Sequence, residues 1–203
     1  MDQACLLALG ANLPGGGGDA PQKPPQTPAQ TLCAALRDLG AAPGVSLTAI
    51  SPFYHTPCFP AGAGPDYVNA AAALTTSLSP RALLDLLHRI EADHGRARLQ
   101  RWAGRTLDLD LLSMGDTVLP DAETLAAWID LPAEDQINHT PDQLILPHPR
   151  IQDRAFVLVP LADVAPDWRH PHLGQTVVEM LQNLPDSALA EVKQLENTAK
   201  CPE

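Results

Sequence analysis

Hydrophobic positions along this chain alternate between two periods. Residues 4–9 form an unbroken apolar run closed by Gly10, the pattern of a buried first strand. Thr27-Pro28 then offers an N-cap and a proline for the first helical position. Leu32, Leu36 and Leu39 follow at helical spacing, with Gly40 as a stop. Val45, Leu47 and Ala49 alternate with Ser46, Thr48 and Ile50, which predicts a second strand. Residues 67–76 predict a third. Ser79-Pro80 opens a second helix that places Leu83, Leu87 and Ile90 on one stripe with Leu86 beside it, and residues 106–112 predict a fourth strand. The order β-α-β-β-α-β is the split βαβ, or ferredoxin-like, arrangement: an α+β fold with an antiparallel sheet and helices packed on it.

The intervening stretches are punctuated differently. Residues 14–25 make a Gly/Pro-rich insertion without the spacing of a P-loop, and residues 51–66, with four prolines and two glycines, read as a long irregular loop. Residues 113–147 form a polar, proline-punctuated excursion with one short helix near 123–128. Residues 156–161 read as a further strand, and weak helical patterning near 177–181 and 188–195 completes the C-terminal additions. No internal repeat or boundary divides residues 1–203, so a single domain is expected.

Composition narrows the function. With 45% apolar and 18% charged residues the chain is globular, and a formal charge of −11 excludes the basic surface that nucleic acid or an anionic membrane requires. Five of its ten arginines (Arg89, Arg96, Arg98, Arg101 and Arg105) nevertheless crowd one stretch, and Arg150 and Arg154 form a second group. Such clustering in an acidic protein suits a compact anionic ligand. Cys5, Cys33, Cys58 and Cys201 lack metal or scaffold spacing and read as reduced thiols. With no signal-like start and no run of about 20 apolar residues, the expected location is cytoplasmic.

The sharpest chemistry lies in Arg105-Thr106-Leu107-Asp108-Leu109-Asp110-Leu111-Leu112. Strand alternation puts Asp108 and Asp110 on one face, where like charges repel unless a cation sits between them. Magnesium takes one or two carboxylates and completes its octahedron with water and phosphate oxygens. A solvated strand face is the plainer explanation, but the arginine loop at 95–104 feeds straight into this pair, and guanidinium forks match phosphate oxygens. Together they suggest phosphoryl-type transfer. Tyr67 and Asn69 share a strand face, a ring beside a mixed donor and acceptor, which suits a planar heterocycle. His170-Pro171-His172 has too few neighbours for zinc. Trp128 and Trp168 read as packing residues, and His55 and His88 as ordinary histidines.

These stretches resemble the 6-hydroxymethyl-7,8-dihydropterin pyrophosphokinases of folate biosynthesis. The likeness rests on Leu9-Gly10-Ala11-Asn12-Leu13, Ser51-Pro52-Phe53-Tyr54-His55-Thr56-Pro57, Asp66-Tyr67-Val68-Asn69-Ala70, Arg101-Trp102-Ala103-Gly104-Arg105-Thr106-Leu107-Asp108-Leu109-Asp110, Leu146-Pro147-His148-Pro149-Arg150 and Arg154-Ala155-Phe156-Val157-Leu158. The resemblance implies pyrophosphate transfer from ATP to the pterin hydroxymethyl group, releasing AMP. It implies two magnesium ions on Asp108 and Asp110, with Arg96 and Arg105 neutralising the transferring group. Which group, if any, acts as general base is left open by the sequence, and Asp110 is the candidate. Glu91, Arg98, His148 and Arg154 match nucleotide-site residues. Tyr67 and Phe156 would sandwich the pterin, Asn69 would read its edge, Thr56 and Pro57 would line the pocket, and Trp102 would close it. The implied partners are these two small molecules. The acidic balance argues against nucleic acid or an anionic membrane, and a monomer is expected. Ala11 departs from the usual serine, and the arginine loop is one residue shorter than in some relatives. Two other readings are open on this fold. An RNA-recognition module would need aromatics in a basic strand, which this chain lacks. A catalytically inactive pterin- or nucleotide-binding module would keep the binding residues and produce no AMP.

Overall fold

Alternation, glycine and proline place most of the elements where the sequence predicts them. The protein is described by a computed structural model covering residues 2–15, 26–58, 64–95, 105–132, 135, 139 and 141–196. Its strands are β1 (Gln3–Ala11), β2 (Val45–Ile50), β3 (Tyr54–Thr56), β4 (Tyr67–Thr76), β5 (Asp108–Met114) and β6 (Lys193–Gln194). They form one sheet in the order β5-β1-β4-β3-β6, with β2 pairing β4 ahead of β3 along the same edge, and all pairings are antiparallel.

The helices are α1 (Pro28–Ala41), α2 (Pro80–Asp93), α3 (Ala122–Asp130), α4 (Ala155–Val164), α5 (Val177–Gln182) and α6 (Asp186–Ala190). At the start of α1 the Thr27 hydroxyl accepts from the Gln30 N–H, and the Gln30 side chain accepts in return from the Thr27 N–H at 2.9 Å. Ser79 caps α2 in the simpler way, accepting from Ala82 N–H. The apolar stripes of both helices pack on one sheet face, against Cys5, Leu7, Leu9, Leu107, Leu109 and Leu111. On the other face, Leu6, Ala71 and Leu112 pack against Val157, Leu158 and Leu161 of α4 and Val177 and Met180 of α5. Two apolar layers therefore fix which face each residue of β1, β4 and β5 presents.

Five local expectations need correction. Residues 156–161 are helical within α4 rather than a strand. A short continuous apolar run fits either element, and Ala155, Leu158 and Leu161 are buried at helical spacing despite Pro160 inside the helix. Residues 51–66 are not wholly irregular, because β3 fits between Pro52 and Pro57 and neither proline removes a donor from it. The pattern near 188–195 gives only the short α6 before the chain extends into β6, which finds the free edge of β3. Gly40 lies inside α1. The turn that follows is instead made by Gly44 at φ 77°, where a side chain would meet the Ser77 hydroxyl at 2.9 Å. Cys5 and Cys58 are free and buried, whereas Cys33 is disulfide-bonded, contrary to the expectation of reduced thiols throughout.

The excursion after β5 is tied at its base. Leu119 and Leu146 exchange backbone hydrogen bonds of 2.8 and 3.1 Å, and His148 N–H then donates to the Leu112 carbonyl at 2.8 Å. The excursion thus returns to the edge of β5 and sets His148 beside it. Among the described residues no helix is long and apolar enough to cross a membrane.

His170 is fully buried, and its Nδ1 accepts the N–H groups of His172 and Leu173 at 3.2 Å each. Burial first, and then the neighbouring His172, push this imidazole from an ordinary 6.5 down to about 4. The unfolded chain therefore takes up a proton between these values that the folded chain refuses. The stability from neutral His170 is full above pH 6.5 and is lost as pH falls toward 4. Chemical denaturation across this window should show stability falling by up to roughly 3 kcal/mol for the group. His170→Asn, which keeps an acceptor for both amides, should flatten the slope; an unchanged slope would refute the assignment.

Candidate active site

The register sets an unusual row across four neighbouring strands. Asp108 on β5 lies opposite Gly10 on β1, Gly10 opposite Asn69 on β4, and Asn69 opposite Tyr54 on β3. Directly opposed residues share a face, and it is the face carrying Leu6, Ala71 and Leu112. One row along, Asp110 lies opposite Ala8, and Ala8 opposite Ala71. Both aspartates thus project where β1 offers only glycine and alanine. A Cβ on Gly10 would come within 2.9 Å of Asn69 Oδ1 and 3.8 Å of the Tyr67 ring, so Gly10 lets the amide and ring settle against the sheet.

Cations flank the carboxylates on both sides. Arg105 Nη1 donates directly to Asp108 Oδ2. Burial alone would lower the Arg105 pKa, but the Asp108 charge and hydrogen bond, followed by Asp110, outweigh it and hold the guanidinium more firmly charged than usual. Arg154 shows the reverse balance: burial lowers it, and attraction from Asp110 and Asp153 only partly offsets that cost. It sits at the start of α4, its guanidinium carbon 5.7 Å from the centre of the Phe156 ring. A buried cation that is under-compensated in this way is suited to a further anionic partner.

His148 lies beside Arg154. Its Nδ1 accepts from the Arg150 N–H at 3.1 Å, which leaves the proton on Nε2. Burial, then the charge of Arg154, pushes the imidazole down to about 3, so it serves as a neutral donor at physiological pH. His148, Arg150 and Arg154 share a cleft of about 420 Å³ with Leu109–Leu111 of β5, Leu84 and His88 of α2, and Trp128 of α3. Asp110 lines this cleft, which lies along β5 at the outer edge of the sheet.

On the opposite side of the row, Asn69 Nδ2 donates to Thr56 Oγ1 at 2.6 Å in a buried contact. Tyr67 stands beside Asn69 on β4. Burial raises its pKa, Arg105 opposes that rise, and Cys58 and Asp108 add to it. Pro57 is exposed at the rim. Phe156 lies in the first turn of α4 and is 39% exposed, a large apolar ring left accessible next to a charged site.

The structure therefore brings together Thr56, Tyr67, Asn69, Arg105, Asp108, Asp110, His148, Arg154 and Phe156, with Pro57 at the edge. Glu91 is placed differently. It is buried on the α2 side of the sheet, where its Oε1 accepts the Leu109 N–H at 2.8 Å, so it grips the backbone between the aspartates from behind. Arg96, Arg98 and Trp102 lie outside the described residues.

Several contributing residues escaped the sequence reading. Asn12 is buried; its Oδ1 accepts the Arg105 N–H at 2.7 Å and its Nδ2 donates to the Pro65 carbonyl at 3.0 Å. It fastens the base of Arg105 to the end of β1 and to the segment before Tyr67. Asp66 accepts the Cys58 N–H at 3.2 Å through Oδ1 and pairs with His55 Nε2 at 3.1 Å through Oδ2. Tyr54 Oη donates to Asp163 Oδ2 at 2.6 Å, linking β3 to α4. Asn12 and Asp66 do lie in motifs of the sequence, but the pattern of one strand reveals neither the partners of Asn12, more than fifty residues away, nor the fold-back that brings Cys58 and His55 to Asp66.

Comparison with known proteins shows the family to which the chain belongs. Residues 6–166 match the family model described as 7,8-dihydro-6-hydroxymethylpterin-pyrophosphokinase (HPPK). A 2-amino-4-hydroxy-6-hydroxymethyldihydropteridine pyrophosphokinase of Synechocystis is 37% identical over 158 residues, covering 78% of this chain and 70% of the relative. The enzyme of the same name from Pseudomonas aeruginosa is 38% identical over 185 residues, covering 91% and 94%. Among solved structures, wild-type Plasmodium falciparum HPPK-DHPS superposes with a TM-score of 0.61 at 14% identity, a likeness of fold. It covers 90% of this chain and 44% of that one, so this chain spans less than half of the larger protein. By its family match and its similarity to full-length relatives, the chain belongs to the HPPK family.

Proposed function

We propose that this chain is a pyrophosphokinase that uses ATP and magnesium to pyrophosphorylate 6-hydroxymethyl-7,8-dihydropterin in folate biosynthesis. Residues 1–203 form one catalytic domain on a ferredoxin-like βαββαβ core with C-terminal additions, acting as a monomer in the cytoplasm. The observation that carries the reading is the Asp108–Gly10–Asn69 row. Two interstrand steps of about 4.8 Å separate the carboxylate side from the amide side, roughly 10 Å in all. That span suits a pterin ring at Asn69 whose hydroxymethyl oxygen reaches a phosphorus held near Asp108.

Asp108 and Asp110 fit magnesium. They supply hard oxygen donors only, and among the described residues no third His, Cys, Asp or Glu completes a protein cage. The remaining positions suit water and phosphate oxygens. Bound there, the metal would neutralise phosphate charge and align the groups for in-line displacement. Arg105 neutralises Asp108 in the free protein, and on nucleotide binding its fork exchanges that carboxylate for phosphate oxygens. Arg154 and the Nε2–H of His148 face the nucleotide from the cleft beside β5, and Glu91 supports that strand from behind. Arg96 and Arg98 act at the transferring phosphates, and Trp102 covers the pterin.

Tyr67 and Phe156 sandwich the pterin, Asn69 reads its edge, and Thr56 and Pro57 line its pocket. In the reaction the hydroxymethyl oxygen bonds to the β-phosphorus, the bond from that phosphorus to the α,β-bridging oxygen breaks, and AMP leaves. Asp110 takes the hydroxyl proton. Positioning and charge neutralisation carry most of the acceleration, as expected for phosphoryl-type transfer.

The deciding assay follows nucleotide products by chromatography. AMP should form from ATP only when hydroxymethyl-dihydropterin and magnesium are both present. Pterin binding without AMP would favour an inactive binding module, and ADP as the product would refute pyrophosphoryl transfer.

Calorimetric titration checks the pocket. With an ATP analogue present, Tyr67→Ala and Phe156→Ala should each weaken pterin binding by roughly 1 kcal/mol beyond the lost contact area. Asn69→Ala should cost ~1–3 kcal/mol through an unmet edge contact. Unchanged pterin affinity in all three would place the pocket elsewhere.

A further inference from the structure

The family match ends at residue 166, yet the chain beyond it returns to the pterin side of the sheet. β6 pairs antiparallel with β3, Lys193 opposite His55 and Gln194 opposite Tyr54. Leu195 N–H continues the ladder by donating to the Phe53 carbonyl at 2.8 Å, and the Leu195 side chain packs on the core beneath α1 and α2.

The strand gripped in this way is only three residues long. On its inner side β3 pairs with β4, Tyr54 opposite Asn69 and Thr56 opposite Tyr67. Each of its residues has a further tie: Tyr54 to Asp163, His55 to Asp66, and Thr56 to Asn69. So short a strand on a sheet edge makes few ladder bonds and opens readily unless its outer side is also paired. β6 supplies that outer side.

We infer that the C-terminal strand is a positioning element of the pterin pocket: by pairing with β3 it holds Thr56 where Thr56 orients the Asn69 amide. The inference rests on the pterin assignment made above. The chain of contacts is short. Leu195 and Lys193 fix the height of β3, β3 sets Thr56 Oγ1, and that oxygen accepts one of the two amide protons of Asn69. The amide then cannot rotate, and its remaining groups meet the ligand in one orientation. If β3 frays, Asn69 loses its buried partner and the pocket pays the cost of ordering both residues when pterin binds. The nucleotide cleft, at the opposite edge of the sheet on β5, has no such dependence.

Proline substitution separates this role from general weakening. The Leu195 N–H faces β3, so ladder alternation turns the Lys193 N–H toward β3 and the Gln194 N–H toward the outer edge. Leu195→Pro and Lys193→Pro should each raise the pterin dissociation constant about tenfold, measured by calorimetry with an ATP analogue present. Affinity for that analogue alone should not change. Gln194→Pro removes no bond to β3 and should leave pterin binding within about twofold. Hydrogen exchange on Leu195→Pro should be faster in Tyr54–Thr56 while β1 keeps its protection. Equal weakening by all three prolines, or parallel loss of analogue affinity, would overturn the inference by showing only generic destabilisation. Normal pterin binding across the series would overturn it while leaving the function intact. A natural chain that binds no pterin would overturn the functional reading and this inference together.

Discussion

Two carboxylates two residues apart on one strand face must be neutralised, and much of the site's construction follows from that requirement. Asp108 and Asp110 stand on an edge strand whose other face is committed to the core through Leu107, Leu109 and Leu111. A one-residue slip would bury both charges, which makes the register costly to change. Arg105 approaches from one side and Arg154 from the other, and each shows in its ionisation how far the carboxylates compensate its burial. Glu91, holding the Leu109 N–H, braces the strand between the two charges.

The neighbouring strand meets the same constraint by offering nothing bulky. Gly10 and Ala8 stand beside the aspartates, and the missing Cβ of Gly10 lets Asn69 and Tyr67 lie close on the next strand. One glycine thereby joins the carboxylate and amide sides into a single surface. Around it, long-range fasteners tie Asn12 to Arg105 and Pro65 and Tyr54 to Asp163, and a local one ties Asp66 to His55 and Cys58. The C-terminal strand adds an outer hold on β3, and the pinned base of the excursion brings His148 to the edge of β5.

Where the sequence was legible, local physics decided the structure. Thr27-Pro28 and Ser79-Pro80 cap helices because their hydroxyls accept the first free amides, and the leucine stripes behind them are buried as spaced. Asp108 and Asp110 share a face because strand side chains alternate. The apolar run at 156–161 was ambiguous because its periodicity suits a strand or a buried helix, and packing against Leu6, Ala71 and Leu112 selected the helix. β3 and β6 were hidden for another reason. Neither has intrinsic strength as a strand, and each exists through pairing with a partner remote in sequence. Asn12, Asp66 and Asp163 were likewise visible as residues but not as contacts, since their partners are set by topology. Glu91 was visible as an acid near the site, while its direction, toward the back of β5, needed the fold.

On the proposed function, the paired aspartates form the seat of a divalent metal and its nucleotide. Titrating Mn²⁺ as a spectroscopic substitute for magnesium, with a non-hydrolysable ATP analogue present and electron paramagnetic resonance as the readout, tests it without relying on turnover. Saturable Mn²⁺ binding is expected in the natural chain. Both Asp108→Asn and Asp110→Asn should bind it more than about tenfold more weakly, a loss of at least roughly 1.4 kcal/mol, if the two carboxylates are its seat. Undiminished Mn²⁺ affinity in both variants, each folded as the natural chain is, would contradict it.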